Sequence, residues 1–308
     1  MAQLTVSDVL ARVKAGDSLC KAELSGIDLS QACLDRVDLE SAYLRRTRLH
    51  NISGRGANLA DATLVLAELS GSCLADSRLT GAVLTQAQLD RVNLQGAQAT
   101  NAQFYGARFD CVRGSYARFD QADLRAASGP QARFQYASFT EARLDGANFS
   151  LSSFEGAQLS RSSWQQSTLS GVSFATADLT QANLTAAILV GANFSEANAL
   201  SANFQEADLT AARLHSIQLD HATLWNSILV QADLRDASLY GATLEYANLS
   251  GANLSNADLR QANLENAQLD GICLEECRVR GALFTDATGL SSEQRRWLRR
   301  NGALNVER

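Results

Sequence analysis

Acid–base or metal chemistry at neutral pH would begin from histidine, and this chain has only His50, His215 and His221. His215, Asp220 and His221 fall within seven residues, a spacing that could serve a metal ion or a proton relay. No histidine, however, stands in a Ser–His–Asp or Cys–His relation to a nucleophile, and solvated surface is the plainer reading. The six cysteines (Cys20, Cys33, Cys73, Cys111, Cys273 and Cys277) form no CxxC pair and have no histidine at zinc-ligand spacing, which reads as reduced structural thiols. The glycines do not follow the order of a phosphate-binding loop. Asp and Glu are abundant, but a regular array makes close carboxylate pairs inevitable, so they do not argue for a glycosidase-like pair. The expectation is no catalytic residue, no metal, no cofactor and no enzymatic activity.

The elements that would have to position any such chemistry are unusual. Every fifth residue from Leu24 to Phe284 is Leu, Phe, Trp164 or Val279, apart from Gly54, Ala99, Gly114, Gly129 and Ala199, which makes 53 pentads without an insertion. Two residues earlier, from Ala22 to Ala282, each position is Ala, Ser, Thr, Val, Ile or Cys, and neither column holds a charge. All 11 Phe occupy the large column. A period of five fits neither a helix nor a continuous strand. The pattern small–x–large–x–x predicts a short extended side, with two inward residues flanking an outward one, followed by a two-residue corner. Corner pairs such as Ser25–Gly26, Ser70–Gly71, Ser250–Gly251 and Asp270–Gly271 suit tight turns. All three histidines fall at corners.

Length alone, at 308 residues, suggests two domains, but an array grows along one axis and escapes that limit. The formal charge of −6 is uneven: residues 290–308 carry +3, leaving −9 over 19–289. With only Lys14 and Lys21 as lysines, an acidic array is not expected to bind nucleic acid directly. No secretory signal and no apolar run of membrane-spanning length are evident, so no membrane association and a cytoplasmic location are expected.

The stretches Ala232-Asp233-Leu234, Ala247-Asn248-Leu249, Ala252-Asn253-Leu254, Ala257-Asp258-Leu259 and Ala262-Asn263-Leu264 match an A(D/N)Lxx signature. Over roughly residues 22–287 the chain thereby resembles the pentapeptide repeat proteins. The resemblance implies an all-β solenoid, a right-handed quadrilateral β-helix with four pentads to a coil and about thirteen coils. At ~4.8 Å per coil its length would be roughly 60 Å. Phe104, Phe109, Gly114 and Phe119 would then share a layer, as would Leu124, Gly129, Phe134 and Phe139, with glycine offsetting the bulk of the aromatic rings. The alternatives are a void, or a kink at Gly129–Pro130.

Both ends change period, as a solenoid with open edges requires. Residues 5–15 read as an amphipathic helix capped by Thr5 or Ser7, with Val9, Leu10 and Val13 as its stripe and Gly16 as its stop. Residues 291–301 open on the capping box Ser291-x-x-Gln294 and end at Gly302. The expected organisation is an N-terminal capping helix over 1–18, β-helix over 19–289, and a C-terminal capping helix with a basic tail over 290–308. Leu290, Trp297 and Leu298 serve that cap or a homodimer contact through the C-terminal end.

Two surface features suggest binding. Outward apolar residues concentrate at Ile188, Val190, Leu200, Trp225, Ile228 and Val230. Arginine replaces the usual Asp or Asn at Arg108, Arg113, Arg118, Arg133 and Arg143, with Arg91 and Arg125 nearby, while Asp90, Asp110, Asp120, Asp123 and Asp145 stand ready to neutralise them. The leading expectation is a non-catalytic rigid scaffold for protein–protein interaction, its partner unidentified. One alternative implied by the family is a DNA mimic that binds gyrase or topoisomerase and protects it from toxins or quinolones. A second is an accessory of a bacterial type VI secretion or effector system, from the similarity of the helix leading into repeats (Leu10 to Leu29).

Overall fold

A computed structural model describes residues 4–307; residues 1–3 of the expected N-terminal cap and Arg308 of the basic tail lie outside the described residues. The chain divides into two compact units, Met1–Gln158 and Leu159–Arg308. Each is a β-helix solenoid in which the outward residue of a pentad bridges, in parallel, the outward residue twenty positions on. In the first unit the pairs run from Glu23 with Tyr43 to Ser138 with Gln158, and in the second from Ser163 with Asn183 to Gln268 with Thr288. Each extended side contributes a single bridge, so no continuous strand forms: the chain has turned its corner before a second outward residue arrives.

The hydrogen bonds explain the period. Around Leu44, the amide of Tyr43 donates back to Ala22 O at 2.9 Å, and those of Leu44 and Arg46 donate forward to Thr63 O and Val65 O at 2.8 and 2.9 Å. Thr47 N closes the corner on Leu44 O at 3.2 Å. That closure is a β-turn whose third residue has positive φ (54° at Arg46), the signature of a type II turn. One amide per pentad, that of the first corner residue, is left out of this scheme. Side chains in the outward column supply its acceptor: Asp28 Oδ1 for Ser30 N at 3.0 Å, Asn183 Oδ1 for Thr185 N at 3.1 Å and Asn253 Oδ1 for Ser255 N at 3.0 Å. Asp and Asn are thus favoured before the large residue because they close an Asx turn. Pro130 occupies this same corner position, where a missing N–H breaks no ladder bond and its fixed φ suits the turn.

Both columns are buried, apart from Ala22, Ile27 and Ala32 at the start of the small column, which are half-buried. The first unit stacks seven phenylalanines, with neighbouring centroids between 4.8 and 6.4 Å, Phe119 on Phe139 being the closest pair. Where Cβ atoms would stand at Gly114 and Gly129 lie the rings of Phe134 and Phe149, 2.5 and 2.4 Å away, so the aromatic rings fill the space that glycine leaves. The second unit centres on Trp164, whose Nε1 donates to Ser162 Oγ at 2.8 Å, and on Phe174 stacked on Phe194 at 5.1 Å. Hydroxyls in the small column are satisfied by carbonyls of the large one: Thr47 Oγ1 donates to Leu24 O and Ser72 Oγ to Leu49 O at 2.8 and 2.6 Å.

Helix α1 spans Val6–Ala15, with Thr5 as N-cap in a capping box with Asp8 and Gly16 as its left-handed C-cap. Its buried contact is Val9 alone; Leu10, expected in the same stripe, is 41 % exposed, lying about 100° further round the helix. Helix α2 spans Ser292–Arg300, with the expected Ser291–Gln294 capping box. Beyond it the chain turns back, and Leu304 pairs in parallel with Leu283, donating to Ala282 O at 2.8 Å and accepting from Phe284 N at 3.1 Å. A tail that reads as polar in sequence therefore occupies open hydrogen-bonding positions on the last coil.

Candidate protein-contact surface

The histidines do not converge. His50 Nε2 lies 2.8 Å from Glu68 Oε2. His215 Nδ1 lies 3.0 Å from Ser195 Oγ, one coil earlier, whereas His221 packs edge-on against Tyr240 at 5.5 Å, one coil later. Asp220 between them accepts from Ser238 Oγ at 2.8 Å. Among the described residues no group of three or more His, Cys, Asp or Glu is arranged to hold a metal ion. Cys277, in the small column, donates its S–H to Leu254 O at 2.9 Å, and burial pushes its thiol up to about 12, so it stays protonated.

Several outward arginines pair locally. Arg125 meets Asp123 through two hydrogen bonds of 2.8 and 2.6 Å, and its side-chain bonds hold the Asp123 carboxyl below the usual carboxylate range against the opposing effect of burial. Arg260 makes the same contact with Asp258, which also meets Arg278 at 3.1 Å. Burial opposes ionisation of Asp258, but the Arg260 hydrogen bonds and both positive charges outweigh it and keep the carboxyl below its ordinary value.

The apolar residues of the second unit assemble on one side of the coil. Ile188, Asp208 and Ile228 are successive bridge partners in one column, and the two isoleucines are 44 % and 41 % exposed. Asp208 between them bonds to its own corner: its Oδ1 accepts from Thr210 N and Thr210 Oγ1 at 3.0 and 2.6 Å. Val190 and Val230 occupy the corner that follows this column, Val190 exposed and Val230 half-buried. Trp225 occupies the corner that precedes it, half-buried, with its ring edge-on to Tyr246 at 6.1 Å. Tyr246 is 51 % exposed and extends the same edge. Sequence reasoning missed it because an exposed tyrosine at a corner looks like any other polar corner residue. Leu200 is not part of this face. It follows Asn198, whose column continues through Gln218, two corners beyond Val190.

At the C-terminal end Leu290 and Leu298 are buried, at 8 % and 0 % exposure, so their surface is spent within the cap. Trp297 is half-buried and lines a groove of about 630 Å³ together with Ile272, Cys273, Leu274 and Gln294. Gln294 Nε2 donates to Ile272 O at 2.8 Å, fixing α2 on the coil below.

A family profile agrees with the five-residue period. The family profile described as Pentapeptide repeats (8 copies) matches nine segments, from residues 22–53 through 244–281, that together cover most of the chain. HetL, a pentapeptide repeat protein involved in heterocyst differentiation regulation from the cyanobacterium Nostoc, is 25 % identical over 94 % of this chain and 99 % of its own, with a TM-score of 0.33. A pentapeptide repeat protein of the Arabidopsis thaliana thylakoid lumen is 29 % identical over 46 % of this chain and 83 % of its own, with a TM-score of 0.25. QnrB1, a plasmid-mediated fluoroquinolone resistance protein, is 20 % identical over 77 % of this chain and 97 % of its own, with a TM-score of 0.25. No curated protein matches the chain.

Proposed function

Because this chain belongs to the pentapeptide repeat family, we propose that it is a non-catalytic rigid scaffold that binds a protein partner through the face carrying Ile188, Val190, Trp225, Ile228 and Val230. The repeats of 19–289 would wind as a right-handed quadrilateral β-helix of about thirteen coils between caps at 1–18 and 290–308. The twenty-residue register supports four pentads to a coil. One observation carries the binding proposal. Two isoleucines stand exposed in a single column whose intervening carboxylate is held by its own corner. Covering branched apolar side chains gathered on one face removes apolar area from water, which is why such clusters mark contact surfaces. The test is a co-purification series from the native cell with the natural chain and with Ile188→Asp/Ile228→Asp as baits. A partner retained by the natural chain and lost by the doubly substituted, still folded chain supports the face; equal retention removes it.

DNA mimicry has less support, because paired and unpaired arginines between residues 91 and 143 interrupt any continuous acidic surface. The groove beside Trp297 supports a second contact, a homodimer through the C-terminal end. Light scattering on the natural chain and on Trp297→Ala tests it: a natural dimer that becomes monomeric supports the groove, and identical masses refute it.

A further inference from the structure

Seven arginines face outward between residues 91 and 143. Four of them have carboxylates: Arg108 meets Asp90 and Asp110 at 3.1 and 3.4 Å, Arg118 meets Asp120 at 3.2 Å, Arg125 meets Asp123 at 2.6 Å, and Arg143 meets Asp145 at 3.9 Å. Arg91, Arg113 and Arg133 are exposed, and among the described residues none of them has a carboxylate within salt-bridge distance. These three line one cleft of about 370 Å³ together with Cys111 and Gln131. Arg113 and Arg133 are direct bridge partners, so their side chains leave adjacent coils at the backbone spacing of ~4.8 Å. Arg91 stands one coil before Cys111, in the corner column that flanks them. Asp90 and Asp110, the acids nearest in sequence to Arg91 and Arg113, each pair with Arg108 on the preceding side. Gln131 Oε1 takes the Cys111 S–H at 3.7 Å, which leaves its Nε2 as a further donor.

We propose that this cleft binds a phosphoryl dianion, supplied either by free phosphate or by a phosphorylated side chain of another protein. Like charges directly opposite on neighbouring strands destabilise the pair. Here two are stacked and a third stands beside them, in a chain whose neighbouring arginines are all neutralised. Three guanidiniums around one small cleft match a compact group with two negative charges and three terminal oxygens. A lone carboxylate offers one charge and two oxygens, and offsets less of the cluster's positive charge than a dianion does. The site lies in the first unit and depends on nothing argued for the apolar face of the second.

Titration calorimetry of the full chain at low ionic strength tests the assignment, with inorganic phosphate, a phosphoserine tripeptide and its unphosphorylated form as probes. Phosphate binding weakened at least about tenfold by Arg113→Gln and by Arg133→Gln, and unchanged by Arg118→Gln, is expected. Without phosphate, Arg133→Gln should melt no lower than the natural chain, because it relieves repulsion, and phosphate should raise the melting temperature of the natural chain and of Arg118→Gln more than that of Arg133→Gln. Tighter binding of the phosphopeptide than of phosphate assigns the dianion to a modified protein, and equal binding assigns it to the free ion. Phosphate affinity unaffected by Arg113→Gln and Arg133→Gln, or equal affinity for the unphosphorylated peptide, overturns the proposal.

Discussion

Gly129 shows how little freedom the interior leaves. A methyl group there would sit 2.4 Å from Phe149 Cε1 and 2.8 Å from Phe109 Cβ, so Gly129→Ala should destabilise the chain by about 1–3 kcal/mol, read as a lower denaturation midpoint. Polar groups in the core are as constrained. Ser162→Ala removes the acceptor of the Trp164 indole N–H and should lower stability by about 1–3 kcal/mol in the same assay. Asp258 adds a pH dependence of known sign. Its carboxyl is held below the ordinary value, so its contribution is complete above pH ~4 and is lost as pH falls through the lower folded value. The melting temperature of the natural chain should therefore fall more steeply in acid than that of Asp258→Asn. The two inward columns and their freedom from charge were legible in the sequence at this scale, because they depend only on spacing. The partners of individual hydroxyls were not, because they lie three residues away at Ser162 but twenty-three away at Thr47.

At the scale of the corner, sequence reasoning found the turn but not its asymmetry. The second corner residue takes positive φ throughout both units, from Lys21 to Asp286, and glycine meets that demand at Gly71 or Gly251. Elsewhere a side chain tolerates it, and Thr176, with φ 56°, is the β-branched residue that does so. Thr176→Gly should stabilise by about 1 kcal/mol through relief of left-handed strain, visible as a raised denaturant midpoint with unchanged slope. The helices were legible from their caps, since Thr5 (left open against Ser7) and Ser291 with Gln294 satisfy local donors by local spacing; the Asp8 half of the first capping box was not read. The outward turn of Leu10 and the return of Leu304 to the last coil were not, because each is decided by what the folded coil offers rather than by the segment itself.

For the molecule as a whole, a strict period of five keeps charge out of both inward columns and leaves it to the surface. The period does not state how many pentads close a coil; that number came from family resemblance, and the bridges between residues twenty apart now support it. The same register decides which exposed residues are neighbours, joining Ile188 to Ile228 and setting Leu200 apart. On the proposed function, a protein partner would sit on this side of the second unit. Hydrogen–deuterium exchange on the complex purified from the native cell, against the free chain, measures this most directly. Slowed exchange concentrated in residues 183–192 and 223–232 is the predicted result, and unchanged exchange there with slowing elsewhere would contradict the account.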